Sequence, residues 1–542
     1  MALVETAVSV RAPGVIAPTD ARRGFVPSTD RRPGVVPSSE PEGVVNIAID
    51  QADIDKFRKM LRDYVDLKSD EIKERRIAWA YYHAKQWTET ELKKLEDRGQ
   101  PEITYNRVAK KINGIIGLLE RLRQDPKAYP RTPAHEQGAE VATQALRYVL
   151  DASQWESQLS EVNLDLAVAG IGGWEQSLEP TDDGSADPIL ARQPADTFFY
   201  DPRSLKHDFL DAHFKGVAKW MREDEAKAFL PDAEAEITES VETLSNGTDA
   251  DTMTPDTDNL WWDTELKKLR VVEVWYREGG KWLYAIYTGT VILKRGESPF
   301  KDSKGQSACR FIMQSANVDE KGNRYGFVRN LKGAQDEINH RRSRALHAFN
   351  TKQVIIEEGV VSDIEKIRAE AHRVDGVISL PEGQSGKLRI QSNTDIAMAN
   401  VQMLQEAKEE IENFGPNSAL IGQGLDNKSG RAIALLQQAA IAELGPFIVR
   451  VRAMKLRCYA QSWEAVREFW KTPRYIRLTD DEGLAGFLGV NQPRQNEFGE
   501  VVGIENPIGK VLVDFVLDEG PDTITLREDA QQAIGQAMSA GG

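Results

Sequence analysis

The most constraining feature of the sequence is a pair of long helices, predicted at residues 326–350 and 396–414, that enclose a compact insert. Both helices are polar over most of their circumference. Their apolar residues recur at helical spacing but form narrow stripes, namely Leu331, Ala334, Ile338, Ala345 and Phe349 in the first helix and Ala397, Val401, Leu404 and Ile411 in the second. A narrow stripe buries little within one subunit, so these helices are expected to pack against further helices.

The two helices also differ in charge. The first is basic in its later half and the second is acidic near its end, through Arg341, Arg342, Arg344, Glu406, Glu409 and Glu410. Opposite charges of this kind could face each other between copies of the chain arranged around a ring. The periodicity leaves one alternative open, a charged helical hairpin that is solvated on a monomer.

The remaining pattern is typical of an α+β chain. Helical spacing of apolar residues predicts helices at 53–87, 104–123, 139–152, 159–170 and 222–230 and, within the insert, at 363–372. Runs rich in aromatic and β-branched residues predict strands at 269–277, 282–288 and 291–294 and, within the insert, at 353–356, 377–380 and 387–391. The acidic segment 236–258 is predicted to be a surface loop.

The N-terminal region carries a degenerate ten-residue repeat over 11–20, 21–30 and 31–40, with Gly in the fourth position and Pro in the seventh or eighth. Pro and Gly at this density prevent helix formation and weaken sheet formation. The repeat is therefore either a flexible tail or an extended arm laid across neighbouring subunits. A tail is favoured because the segment has few large apolar groups to bury.

The composition excludes several classes of protein. A formal net charge of −16 argues against non-specific nucleic-acid binding by the whole surface, which needs a basic footprint. The two cysteines, Cys309 and Cys458, are too far apart for a zinc motif and are expected to be reduced thiols. No run of eighteen apolar residues is present, and no signal peptide is recognised, so we expect assembly in the cytosol without a membrane.

The near-matches to catalytic and metal-binding motifs in the sequence do not predict a site. Residues 422–429 approach a phosphate-binding loop, but Asn427 replaces the Gly that lets backbone amides close on phosphates. His340 and His347 are seven residues apart, too far to share a metal ion. Trp261 and Trp262 are interpreted as core or interface residues rather than a base-stacking platform. We therefore predict no catalytic residue, metal or cofactor.

Five short motifs resemble, in their order along the chain, those of portal proteins of short-tailed bacteriophages. They are 106–108 with Gly114 and Gly117; 201–202; 325–332 with Gln335, Asn339 and 341–343; 427–433 with 437–438; and 519–523. This resemblance implies a portal fold with a wing at 51–325 and 446–522, stem helices at 326–350 and 395–414, a small α/β clip at 351–394, a tunnel-loop region at 415–445 and a short crown or tail at 523–542, preceded by the arm at 1–50.

The resemblance further implies a ring of identical subunits, usually twelve, at one capsid vertex of the virion, assembled in the host cytoplasm. Such a ring passes double-stranded DNA during packaging and ejection, and contacts the terminase large subunit, a tail adaptor, and capsid and scaffold proteins. Lys428 and Arg431 would contact DNA, and Lys332, with the six charged stem residues named above, would lie at a subunit interface or in the channel. Two alternatives are kept: a ring-forming DNA-packaging ATPase, and a capsid scaffold without DNA contact.

Overall fold

The computed structural model describes residues 51–518 apart from 122–124, 182–183, 247–260, 358–359, 361–362, 374, 381, 384, 415–441, 480–484 and 496–500. The N-terminal repeats, the predicted tunnel loop with Lys428 and Arg431, the near-match to a phosphate-binding loop and the predicted crown lie outside the described residues.

The helices of the described part are α1 (Gln51–Leu67), α2 (Ser69–Tyr82), α3 (Glu89–Asp97), α4 (Arg107–Arg121), α5 (Glu136–Ala152), α6 (Trp155–Val168), α7 (Glu223–Phe229), α8 (Glu234–Asn246), α9 (Val328–Asn350), α10 (Ile364–His372), α11 (Thr394–Asn413) and α12 (Gly445–Phe469).

The strands are β1 (Asp125–Pro130), β2 (Ile171–Pro180), β3 (Ala186–Arg192), β4 (Phe198–Tyr200), β5 (Phe214–Met221), β6 (Trp262–Asp263), β7 (Lys268–Glu278), β8 (Lys281–Tyr287), β9 (Ile292–Glu297), β10 (Phe311–Ser315), β11 (Asn317–Val318), β12 (Arg324–Tyr325), β13 (Lys352–Ile356), β14 (Leu388–Ser392), β15 (Arg474–Thr479), β16 (Ala485–Val490), β17 (Gln492–Gln495), β18 (Val501–Glu505) and β19 (Val513–Asp518). The mixture of helix and antiparallel sheet confirms the α+β prediction.

The largest sheet has the order β4-β5-β7-β8-β9, with β6 beside β7, and all of its pairings are antiparallel. The predicted meander at 269–294 is β7–β9. Helix α1 covers this sheet, and the ring centroid of Phe57 lies 5.1 Å from that of Tyr276 and 5.7 Å from that of Tyr287. Trp261 is buried in the same core, which confirms its interpretation as a core residue.

A buried ion cluster joins this sheet to the neighbouring one, of order β10-β2-β3. The guanidinium of Arg310, 1% exposed, donates to Glu175 at 2.5 Å and to Glu273 at 2.9 Å. Burial alone would raise the pKa of Glu175, but Arg310 and Lys219 outweigh it and bring the pKa of this carboxyl below its usual range. Glu175 is therefore ionised, and Arg310 contacts both glutamates in a site that is shielded from water.

Two glycines let the backbone entering α9 press against the end of α6. Gly170 has φ +81°, and a Cβ built on it would lie 2.3 Å from the carbonyl carbon of Tyr325. A Cβ on Gly326 would lie 2.4 Å from the carbonyl oxygens of Ala167 and Val168. The amide of Phe327 donates to the Ala167 carbonyl at 2.8 Å. Only glycine permits this approach at either position.

Three local predictions differ from the structure. Residues 236–246 of the predicted acidic loop belong to helix α8, because Ile237 and Leu244 pack into the core. Residues 377–380 form no strand, and Val377 is 81% exposed, since β13 pairs with β14 alone in this part of the chain. The helix predicted at 53–87 is two helices, and at their junction the ammonium of Lys68 donates to the Gly322 carbonyl at 2.7 Å.

Candidate functional site

The two predicted long helices form one helical hairpin, in which α9 and α11 pack along each other and run in opposite directions. At the far end, β13 and β14 pair in antiparallel register from Lys352 opposite Ser392 to Ile356 opposite Leu388. The side-chain amide of Asn393 donates to the Thr351 carbonyl at 3.2 Å and joins the helices to the strands. We call residues 326–343 with 404–414 the hairpin base, and residues 344–403 the hairpin tip.

The hairpin base is anchored by a polar stripe on α9. Gln335, Asn339 and Ser343 succeed one another every four residues and are all buried. The side-chain oxygen of Gln335 accepts a hydrogen bond from the backbone amide of Arg107 at 2.9 Å, and that of Asn339 accepts one from the backbone amide of Tyr105 at 3.0 Å. Ser343 donates to the Pro101 carbonyl at 2.6 Å. The stripe thus satisfies backbone groups of the extended segment before α4 that would otherwise be buried without partners.

The second helix of the base is held by α4. The guanidinium of Arg107 forms an ion pair with Glu412 at 2.6 Å, and the ammonium of Lys111 donates to the Glu412 carbonyl at 2.9 Å. Asn106 accepts from the Ala109 amide at 3.0 Å and begins α4. The motif at 106–108 therefore both starts a helix and fastens the hairpin to it.

These contacts correct one expectation from the sequence. The narrow apolar stripe of α9 was expected to bury little within one subunit. In the structure, the base of α9 is extensively buried by its own chain, because hydrogen-bonded polar residues widen the stripe. Leu331 and Ile338 are 2% and 0% exposed and pack in the core that also contains Val108 and Ile112 of α4.

The hairpin tip has the opposite character. All of the strongly exposed large apolar residues that the structure describes in the hairpin lie there, and they are Leu346, Phe349, Ile355, Ile364, Val377, Ile390, Ile396, Met398, Val401 and Met403. Helical spacing places Phe349 and Val401 in the apolar stripes, but their side chains are 48% and 39% exposed. Many exposed large apolar residues on one element are typical of a surface that another protein covers.

The four basic residues predicted for the hairpin differ in their surroundings. The Lys332 ammonium lies 5.4 Å from the centroid of the Tyr81 ring, and Arg341 is paired with Glu337 one turn away. The Arg342 guanidinium lies 5.1 Å from the centroid of the Tyr105 ring. Arg344 is exposed and has no partner within the described residues. Of the four, Arg344 has its charge fully available to another molecule.

The three predicted acidic residues, Glu406, Glu409 and Glu410, are exposed on α11. None of them forms an ion pair within the part of the chain that the structure describes, and Glu409 accepts a hydrogen bond from Gln405 at 3.3 Å. Within the described residues, none of them pairs with a basic residue of α9. Lys428 and Arg431 lie outside the described residues.

The described residues contain no group of His, Cys, Asp and Glu that could hold a metal ion. Burial raises the pKa of Cys309 to about 11 and that of Cys458 to about 12, so both stay protonated thiols rather than nucleophiles. The His340 imidazole packs edge-on against Trp87, with ring centroids 4.7 Å apart. Within the described ranges, no helix is long and apolar enough to cross a membrane.

An α+β body that carries a protruding hairpin with an anchored base and an apolar tip defines a structural protein built for assembly. The family model described as phage P22-like portal protein matches residues 58–542, and the chain belongs to that family. The chain is also 20% identical over 428 residues to the portal protein of Helicobacter pylori bacteriophage KHP30, which is 77% of this chain and 67% of that protein.

These findings confirm the predicted family, and they make the chain a phage portal protein, a structural and non-enzymatic component of the phage head. Portal proteins form oligomeric rings and interact with capsid and packaging machinery. The alternative of a DNA-packaging ATPase is accordingly not retained.

Proposed function

We propose that the hairpin forms the stem and clip of a ring of twelve subunits, with the stem helices α9 and α11 side by side around a channel. The observation that carries this proposal is the division of the hairpin into a buried base and an apolar tip. Large exposed apolar residues are costly on a free surface, and identical copies around a rotation axis can cover those that lie on α9 and α11.

The charges of the hairpin support the same arrangement. Arg344 on α9 and Glu406 and Glu410 on α11 have no ion-pair partner within the described chain. In a ring, α9 of one copy approaches α11 of the next, so charges left unpaired within a subunit can pair across each boundary. Such pairs set the register between copies more than they add affinity.

The DNA-facing role is assigned to the region between α11 and α12. Lys428 and Arg431 would meet phosphates in the channel, without reading the base sequence. The chain as a whole carries a net charge of −16. Double-stranded DNA can then slide past an acidic wall with few attractive contacts, during both packaging and ejection.

The clip, residues 351–394, would bind the terminase large subunit and later the tail adaptor, while the wing contacts capsid and scaffold proteins. The portal would occupy one capsid vertex after assembly in the host cytoplasm. Exposed apolar residues of the clip, such as Ile364 at 64% and Val377 at 81%, are suited to partners that exchange.

Electron microscopy of the purified full chain, viewed along the symmetry axis, tests the ring and counts its subunits. A protein that stays monomeric at high concentration in physiological salt would overturn the proposal. For DNA contact, packaging by Lys428→Ala with Arg431→Ala should fall, and its salt dependence should change. Lys281→Ala, on the surface of the body, is the matched control. Unchanged packaging would favour the scaffold alternative.

A further inference from the structure

Strands β15–β18 form two small two-stranded ribbons, and the ribbon β15–β16 has a buried inner face and an aromatic outer face. In the ribbon β15–β16, Ile476 and Val490 are fully buried, whereas Tyr475 and Phe487 are 70% and 73% exposed. Tyr475 lies opposite Gly489 and Arg477 opposite Phe487, so the two exposed rings are diagonal neighbours on one face. This face presents large aromatic side chains to solvent.

The ribbons also have open edges. β15 pairs with β16 and β17 with β18, and neither ribbon has a third strand within the described residues. The ribbon β17–β18 additionally exposes Val501 and Ile504, at 60% and 59%. An open edge offers unpaired backbone groups to an extended chain, and sheet edges are normally protected against this by charge, Pro or a covering segment. Strand β17 carries Pro493 and Arg494, whereas β16 carries neither a charged residue nor Pro.

The N-terminal repeats have the chemistry of such a covering segment. Each contains one apolar pair that follows a Gly and lies close before a Pro, namely Val15-Ile16, Phe25-Val26 and Val35-Val36. Adjacent residues of an extended chain point to opposite faces, so each pair supplies one side chain to each face of a ribbon. The Pro residues limit pairing to short stretches and are tolerated at a sheet edge.

Charge complements this match. Residues 11–40 carry five arginines against three carboxylates, whereas residues 474–518 carry four basic against eight acidic residues. The repeat region is thus positive in a chain that is strongly negative overall. Attraction between the two segments favours their encounter and weakens in salt.

We propose that the N-terminal repeats, residues 11–40, bind the open edges of β15–β16 and β17–β18 as short added strands. Each repeat makes a weak contact, and repeats ten residues apart reach about 33 Å in extended conformation. Three linked weak contacts hold more firmly than any single one, because each bound repeat raises the effective concentration of the next. This surface and its occupant do not depend on the ring proposed above.

The rate of trypsin cleavage reports whether the repeats are bound, since trypsin cuts at Arg22-Arg23 and Arg31-Arg32. In the full chain, Tyr475→Ser with Phe487→Ser should accelerate these cuts about fivefold or more, because a released segment is open to protease. Leu266→Ser removes a side chain of similar exposure, 61%, from the turn before β7 and should leave the cutting rate unchanged. Equal cutting rates in the wild type and the ribbon variant would overturn the proposal.

Hydrogen exchange tests the ribbon side. Serine at Val15, Ile16, Phe25, Val26, Val35 and Val36 should speed amide exchange in β15–β18 by about tenfold, whereas alanine at Thr19, Ser28 and Ser38 should not. Protection that depends on protein concentration and not on the repeats would identify a second copy as the occupant and refute the proposal. The oligomeric state of the same samples shows separately whether the ring proposal holds.

Discussion

The base and the tip of the hairpin belong to the same two helices but are stabilised differently. The base buries Leu331, Ile338, Leu404 and Ile411 and satisfies its polar stripe with hydrogen bonds from its own chain. In the tip, the buried apolar residues of α9 and α11 are the small Ala345, Ala348 and Ala397, and the large apolar residues point outward.

This difference separates folding from assembly along one element. The contacts of the base all lie within one subunit, so they fix the position of the hairpin before another copy binds. The large apolar side chains of the tip are exposed within one subunit, so only other molecules can bury them. Substitutions in the two regions should therefore be detected by different assays. The following experiments begin with the loss of assembly and continue with losses of stability, from the largest to the smallest.

Charges in the tip should affect assembly most strongly. Phe349→Asp with Ile396→Asp should weaken ring formation about 100-fold or more, because an unpaired charge in an apolar interface costs several kcal/mol. The melting temperature of the body should stay close to that of the wild type. Mass photometry over a concentration series measures the effect, with Leu266→Asp as the control on the body. Rings that persist unchanged would show that the tip is not a subunit interface.

Loss of Arg310 should affect folding rather than assembly. Arg310→Met leaves Glu175 and Glu273 buried without their cation and should lower the free energy of unfolding by about 3–5 kcal/mol. Lys281, which pairs with Glu297 at 2.9 Å on the surface, provides the control, and Lys281→Met should cost less than about 1 kcal/mol. Denaturant unfolding measures the loss of unfolding free energy in both variants. Equal losses would show that the buried cluster contributes no more than a surface ion pair.

Asn339→Leu tests the anchor of the base. The Tyr105 amide and the Gln86 side chain lose their partner, which should cost about 2 kcal/mol. Arg344→Gln, one turn further along α9, should change stability by less than about 0.5 kcal/mol. Thermal unfolding of the two variants compares the base and tip of one helix, and similar losses would argue against the division proposed.

The smallest effect is expected at Asp319, in the turn between β11 and β12. Burial alone would raise the pKa of Asp319, but the amides of Asn323 and Lys321 and the Arg329 guanidinium donate to its carboxylate, and the net effect lowers this pKa. A lowered pKa in the folded state contributes stability above the unfolded value of about 4, and this stability is lost as the pH falls through the folded value.

Asp319→Asn should therefore cost about 1 kcal/mol at pH 6, and the difference from the wild type should shrink as the pH falls below 4. Stability measured by denaturant unfolding across this pH range gives the comparison. A difference that is constant with pH would show that the Asp319 charge contributes nothing.

The hairpin and the meander could be predicted because their signals are local. Apolar spacing at 3.6 residues marks α9 and α11, and aromatic strands between Gly-containing turns mark β7–β9. The burial of the base could not be predicted from apolar residues alone. Gln335, Asn339 and Ser343 read as a polar face, and only their distant partners at Pro101, Tyr105 and Arg107 make them interior residues.

The exposure of the tip was missed for a related reason. Phe349 and Val401 continue the apolar stripes of their helices, so periodicity places them inside. Periodicity specifies a face of the helix but not the molecule that covers it. One signal was available: Ile396, Met398 and Met403 lie off the stripe of α11, which is unusual for a helix with one buried face.

The contact between Gly170 and Gly326 sets the direction in which α9 leaves the body. In the ring proposed above, an angular error at this corner would not average out, because symmetry repeats the same error in every copy. An angular error in α9 that a single subunit would tolerate would widen or close the channel at the clip when every copy repeats it. The two glycines lie about one length of α9 away from the clip. They would nevertheless determine the diameter of the channel there.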